Sequence, residues 1–150
     1  MASEHQKIWR NILKRIAHRG NTLGPSINEN KLWYLKEAIA KGFDVEVDVW
    51  VVDGLIFFGH DGPQYAVTES DVISLSDKAW FHCKNIEALN LFCNKHSMLK
   101  FFWHEQDRYT LTSNGYIWSY PGQAVGGNCI IVDLDSGKDY ECYAVCTDYC

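Results

Sequence analysis

The chain has 150 residues, 47% of them hydrophobic and 14% aromatic, which suits one ordinary domain spanning 1–150 with its own core and excludes disorder as a whole-chain state. Fourteen Lys and Arg stand against nineteen Asp and Glu, and the resulting net charge of −5 disfavours nucleic acid as a partner. Residues 1–17 are studded with charge instead of forming a signal peptide, and no apolar run reaches the roughly 18 residues of a membrane span, so the expectation is a soluble, cytoplasmic protein with no membrane insertion.

Ile8, Trp9, Ile12 and Leu13 recur at helical spacing in residues 1–15 and lead into the short strand Ile16-Ala17. Residues 21–30 hold Gly24 and Pro25 among polar residues and read as a loop. Leu32, Leu35 and Ile39 then share one face of a helix over residues 31–41, which Gly42 stops. Residues 43–52 alternate acids with valines at period two, and Asp53-Gly54 joins them to a second apolar run at 55–58, the pattern of a hairpin. Residues 80–83 read as a strand, Asn85 as the cap of a helix carrying Ile86, Leu89 and Phe92, and residues 99–103 as another strand. Beyond them the strand-like segments 116–120, 129–132 and 143–146 are separated by polar or Gly-rich turns with little helical pattern. Strand-helix repeats followed by closely linked strands point to an α/β fold with an abbreviated second half.

Glu46 and Asp48 lie two apart in a strand, so their side chains leave the same face. They are either the wet face of an amphipathic strand or a site for a divalent cation, whose charge would neutralise the pair. His18-Arg19-Gly20 and His60-Asp61-Gly62 each place an imidazole at a strand end before a glycine, where α/β folds expose functional groups. Two imidazoles, a cationic Arg and a metal would supply the base, acid and charge neutralisation of phosphoryl chemistry. Zinc-protease, phosphate-loop and nucleophile-elbow motifs are absent, and Cys83, Cys93, Cys129, Cys142, Cys146 and Cys150 fit no metal-knuckle spacing and read mostly as reduced thiols.

His18-Arg19-Gly20, Glu29-Asn30, Gly42-Phe-Asp-Val-Glu46-Val-Asp48-Val, Asp53-Gly54 and His60-Asp61, in that order and spacing, resemble the glycerophosphodiester phosphodiesterase family of the phosphatidylinositol-phospholipase-C-like barrels. The resemblance is strong over residues 16–62, and Val145-Cys-Thr-Asp148-Tyr149 resembles that family's last strand. It implies a TIM barrel, here a compressed TIM-like (β/α) barrel with several helices missing in the second half, because a full barrel takes about 250 residues. It also implies a metal-dependent phosphoric diester hydrolase of lipid metabolism acting on a small glycerophosphodiester. His18 would be the general base, His60 the general acid, Arg19 and Lys84 phosphate ligands, and Glu46 and Asp48 metal ligands. The sequence departs from the family at His82, which stands where a third metal carboxylate is expected, and at Lys31, where a threonine is. Mg²⁺ or Ca²⁺ is the expected ion, with Mn²⁺ or Zn²⁺ admitted by His82. A lyase that stops at a cyclic phosphate and a non-catalytic phosphate-binding module are the alternative functions.

His104 follows an apolar strand and either reaches the same end of the barrel or sits on the surface. Asp133 and Asp135 repeat the two-residue carboxylate spacing, and Asp135 either enters the site or serves a turn before Ser136-Gly137. Trp103, Tyr116, Trp118 and Tyr120 either stack on substrate or fill the core. The substrate alcohol and the oligomeric state are not specified.

Overall fold

The alternation of acid and valine is resolved by a strand with two unlike faces. In a computed structural model that describes residues 13–135 and 138–150, β2 (Asp44–Val52) turns Val45, Val47, Val49 and Val51 into one hydrophobic cluster, and Asp44, Glu46 and Asp48 leave the opposite face. Helices α1 (Leu32–Ala40) and α3 (Ile86–Lys95) cover the valine face through Leu35, Ala38, Ala88 and Phe92. Fully burying a large aliphatic or aromatic side chain of this kind contributes roughly 1.5–3 kcal/mol. Asn85 caps α3 by accepting from Ala88 N–H, and the same side chain bonds both the N–H and the C=O of Val51, pinning helix to strand. The short α2 (Glu69–Ser74) is held by a reciprocal cap between Thr68 and Asp71.

β2 is the hinge of the sheet. It pairs in parallel with β1 (Lys14–His18) on one side and β5 (Ala79–Cys83) on the other, and β6 (Lys100–Phe102) adds in parallel to β5. Its far half turns through Asp53 and Gly54, with φ of 51° and 78°, into the antiparallel β3 (Leu55–Phe58) and then β4 (Tyr65–Val67). From β1 the order continues in parallel through β10 (Ala144–Thr147), β9 (Cys129–Val132) and β8 (Ile117–Ser119), with β7 (Tyr109–Leu111) antiparallel at the edge. The sheet curls until Phe102 of β6 and Trp118 of β8 stack with ring centres 4.3 Å apart. Ile16, Trp80, Phe102, Trp118, Ile130, Ala144 and Cys146 fill this concave side as a second cluster.

The expected TIM-like barrel is corrected by this architecture. A curled mixed sheet of ten strands forms a half-barrel, and the described residues contain three helices, none of them beyond residue 95, so strands and helices do not alternate. Two physical causes are visible. The Asp53-Gly54 turn and its successors spend residues 53–67 on antiparallel hairpins, and the links after β6 are short, polar or Gly-rich, with no apolar stripe to dock a helix. The helix expected over residues 1–15 falls largely outside the described residues, and Lys14 and Arg15 belong to β1. No helix among the described residues is long and apolar enough to cross a membrane.

Candidate active site

Strand register assembles the site. β1 against β2 sets His18 beside Glu46, and β2 against β5 sets Asp48 beside His82, so the C-terminal ends of β1 and β5 flank the two carboxylates midway along β2. Ligand atoms of Glu46, Asp48 and His82 lie within 4.8 Å of one another. They line a pocket of about 460 Å³ together with His18, Arg19, His60, Lys84 and His104, and with an apolar wall that includes Trp103, Trp118 and Tyr120. Tyr116 instead packs its ring against Trp80 and Tyr143. Asp135 is exposed and does not line this pocket, although Leu134 before it does. Asp133 accepts a hydrogen bond from Tyr140 Oη.

The two carboxylates are buried, at 2% and 1% exposure, and are treated very differently. Asp48 accepts from Asn30 Nδ2 at 2.9 Å while its own N–H donates to Asn30 Oδ1 at 3.0 Å. Asn30 makes this two-point clamp from a left-handed conformation, φ 67°, which Asn tolerates better than most residues. Burial works to raise Asp48, and contacts from His60, His82 and Asn30 outweigh it, holding this carboxyl well below the ordinary range. Glu46 has no hydrogen-bond partner for either carboxylate oxygen. Burial, reinforced by the charge of Asp48, pushes Glu46 well above its ordinary value, against the opposing charges of Arg19 and Lys84. Asp44, on the same face, shows the contrast: Lys14 Nζ at 3.2 Å and Trp80 Nε1 at 3.0 Å satisfy it. An unpartnered buried carboxylate costs folding free energy.

The histidines are oriented by groups that fix their tautomers. His18 donates from Nδ1 to Asp148 Oδ1 at 2.8 Å, which leaves Nε2 as the basic nitrogen, 3.7 Å from Glu46 Oε2. Asp148 also accepts from Asn21 Nδ2 at 2.9 Å, and Tyr34 Oη donates to Asn21 Oδ1, so the orienting carboxylate is itself braced. Burial works to raise Asp148, and the bonds from His18 and Asn21 overcome it and hold it below its ordinary value. His82 Nε2 donates to the carbonyl of His104 at 2.9 Å, which leaves Nδ1 turned toward the two carboxylates. That nitrogen lies 3.3 Å from Asp48 Oδ1 and 4.0 Å from Glu46 Oε1.

Arg19, in a left-handed conformation at φ 56°, is heavily engaged. Nη1 donates to Glu29 Oε1 at 3.0 Å, Nη2 contacts His60 Nδ1 at 2.7 Å, and Nε lies 3.3 Å from Asp48 Oδ2. One N–H on each terminal nitrogen is left for a ligand. Lys84 lines the pocket and has no ion pair among the described residues. His104 donates from Nδ1 to Asp107 at 2.7 Å, and its ring lies 6.1 Å from that of His82.

Asp148, Asn21 and Tyr34 carry no site assignment in the sequence reading. Asp148 had one signal, its place at the end of a strand in the segment that resembles the family's last strand, whereas Asn21 and Tyr34 had none. No family model matches the chain, and no match is found among curated proteins or among solved structures.

Proposed function

We propose that the chain is a metal-dependent phosphodiesterase acting on a small glycerophosphodiester. The observation that carries this reading is the set Glu46, Asp48 and His82, with Glu46 unpartnered and His82 Nδ1 turned toward both carboxylates, flanked by His18 and His60. The resemblance of residues 16–62 to the glycerophosphodiester phosphodiesterase family points to the same chemistry.

Glu46, Asp48 and His82 would hold the ion, and two carboxylates with one imidazole suit Mg²⁺, Ca²⁺ or Mn²⁺ and admit Zn²⁺. A bound divalent ion would polarise the phosphoryl oxygens and neutralise developing charge. Lys84 and the free N–H groups of Arg19 would take the remaining phosphate oxygens. His18, its Nδ1–H held by Asp148, would accept the proton of the attacking hydroxyl at Nε2. His60, against the other carboxylate, would protonate the leaving alkoxide. Trp103 and Tyr120 would wall the alcohol portion of the substrate away from water.

The test is turnover by chelated protein re-supplied with Mg²⁺, Ca²⁺, Mn²⁺ or Zn²⁺ and given glycerophosphocholine, glycerophosphoethanolamine or glycerophosphoinositol. The reading expects metal-restored hydrolysis, lowered about 10²- to 10⁴-fold by His18→Ala or His60→Ala with the fold intact. Silence with every ion and diester would contradict it.

A further inference from the structure

The loop between β1 and α1 carries two aliphatic side chains that the fold holds out in solvent. Leu23 and Ile27 are each 89% exposed, and Trp33, just beyond in α1, is 54% exposed. Scattered apolar residues on a surface are ordinary. This pair differs in three respects.

First, the loop is fixed, so the side chains are not free to fold inward. Gly24 N–H donates to the Asp148 carbonyl at 2.8 Å, Leu23 bridges to Tyr149, Asn28 N–H donates to Ser26 Oγ, and Ser26 N–H donates to Glu29 Oε2. Second, an ammonium lies beside the chain neighbour of each aliphatic residue. Lys41 Nζ lies 3.4 Å from Oγ1 of Thr22, the residue before Leu23, and Lys31 Nζ lies 3.1 Å from Oδ1 of Asn28, the residue after Ile27. Neither ammonium is in an ion pair among the described residues, on a chain whose net charge is −5. Third, the same loop supplies Glu29 to Arg19 and Asn30 to Asp48, so it braces two residues that line the pocket.

We propose that this loop docks on an anionic phospholipid surface, with Leu23 and Ile27 entering the headgroup and acyl boundary and Lys31 and Lys41 meeting lipid phosphates. Apolar tips paired with cations are what such an interface rewards, because apolar burial and attraction to anionic headgroups add. A protein partner would be served by the tips alone, whereas the flanking ammoniums match a dense layer of phosphates. The contact is peripheral and needs no spanning helix. It would set the pocket beside lipid headgroups, and only that consequence rests on the phosphodiesterase reading.

The full chain is sedimented with vesicles of phosphatidylcholine containing phosphatidylglycerol, and with pure phosphatidylcholine vesicles. Co-sedimentation with the mixed vesicles is expected, weakened at least about tenfold by Leu23→Ser with Ile27→Ser, and Lys31→Gln with Lys41→Gln should abolish the preference for the anionic lipid. Wild-type protein left in the supernatant, or serine variants that bind as well as wild type, would overturn the proposal. So would a wild-type dimer in sedimentation equilibrium that Leu23→Ser with Ile27→Ser splits into monomers. Binding is read without turnover, and the serine variants should keep wild-type turnover of soluble bis(p-nitrophenyl) phosphate. Vesicle binding by a protein with no turnover would fail the phosphodiesterase reading alone.

Discussion

Arg19 Nη2 lies 2.7 Å from Nδ1 of His60, and this contact decides which nitrogen of His60 bears its proton. A guanidinium only donates, so Nδ1 accepts and the neutral ring carries its hydrogen on Nε2, the nitrogen that would protonate the leaving group in the proposed reaction. Replacing the planar fork by a point charge should release the ring. Arg19→Lys is expected to lower kcat about 10²-fold, with smaller effect on KM, in steady-state kinetics on a glycerophosphodiester. A variant whose loss was confined to KM would leave Arg19 with phosphate binding alone and no part in orienting His60.

The His60 loop depends on Gly59. At φ 155°, a β-carbon on this residue would stand 2.2 Å from the Gly62 carbonyl oxygen, and Trp50 Nε1 already holds the Gly59 carbonyl at 2.7 Å. Backbone must move to admit Gly59→Ala, so the variant should lose most turnover while keeping metal binding at Glu46, Asp48 and His82. Kinetics alongside metal titration by calorimetry separates the two effects.

Asn30→Ala removes both hydrogen bonds to Asp48 and leaves a less tolerant residue at φ 67°. The expected cost is about 1–3 kcal/mol in denaturant unfolding, accompanied by weaker metal binding. Unchanged stability would mean that the clamp is not maintained in solution.

Glu46 gives a signed pH prediction for chelated protein. Its folded pKa is raised above the ordinary glutamate value of 4.5, so the carboxylic acid is the form that the fold favours. Stability from this group is therefore complete below about that value and is lost as pH rises through the raised folded value. Thermal unfolding across this window should show wild-type protein losing stability relative to Glu46→Gln, whose amide does not ionise. A metal bound as proposed would have to displace the same proton, so its affinity should climb with pH over the same window.

All six cysteines are free thiols, and burial makes most of them unreactive. Cys83 is pushed up to about 12 and Cys150 to about 11, Cys146 is also strongly raised, and Cys93 lies exposed on α3. Iodoacetamide at mildly alkaline pH should label Cys93 first, as read by peptide mass mapping.

Elements with a clear period were legible in the sequence. The valines of β2 and the Asp53-Gly54 turn marked the hairpin, and Asn85 marked the start of α3. Glu46, Asp48, His18, His60 and His82 were legible as chemistry, and strand register then brought them into one pocket. The support under them was not legible. His18 and Asp148 are 130 residues apart and meet only because β1 pairs with β10. The fold was misjudged where length and resemblance stood in for packing, since nothing after α3 offers an apolar stripe for the helices that a barrel needs. The Thr68-x-x-Asp71 cap was present in the sequence, but a six-residue helix is too short to show a period.

The most direct test of the central claim is phosphorus NMR of glycerophosphocholine incubated with chelated and metal-resupplied protein, wild type beside Glu46→Gln. The account predicts glycerol phosphate from the resupplied wild type, and none from the chelated protein or from Glu46→Gln. Equal product formation by Glu46→Gln, or by wild type without metal, would contradict it.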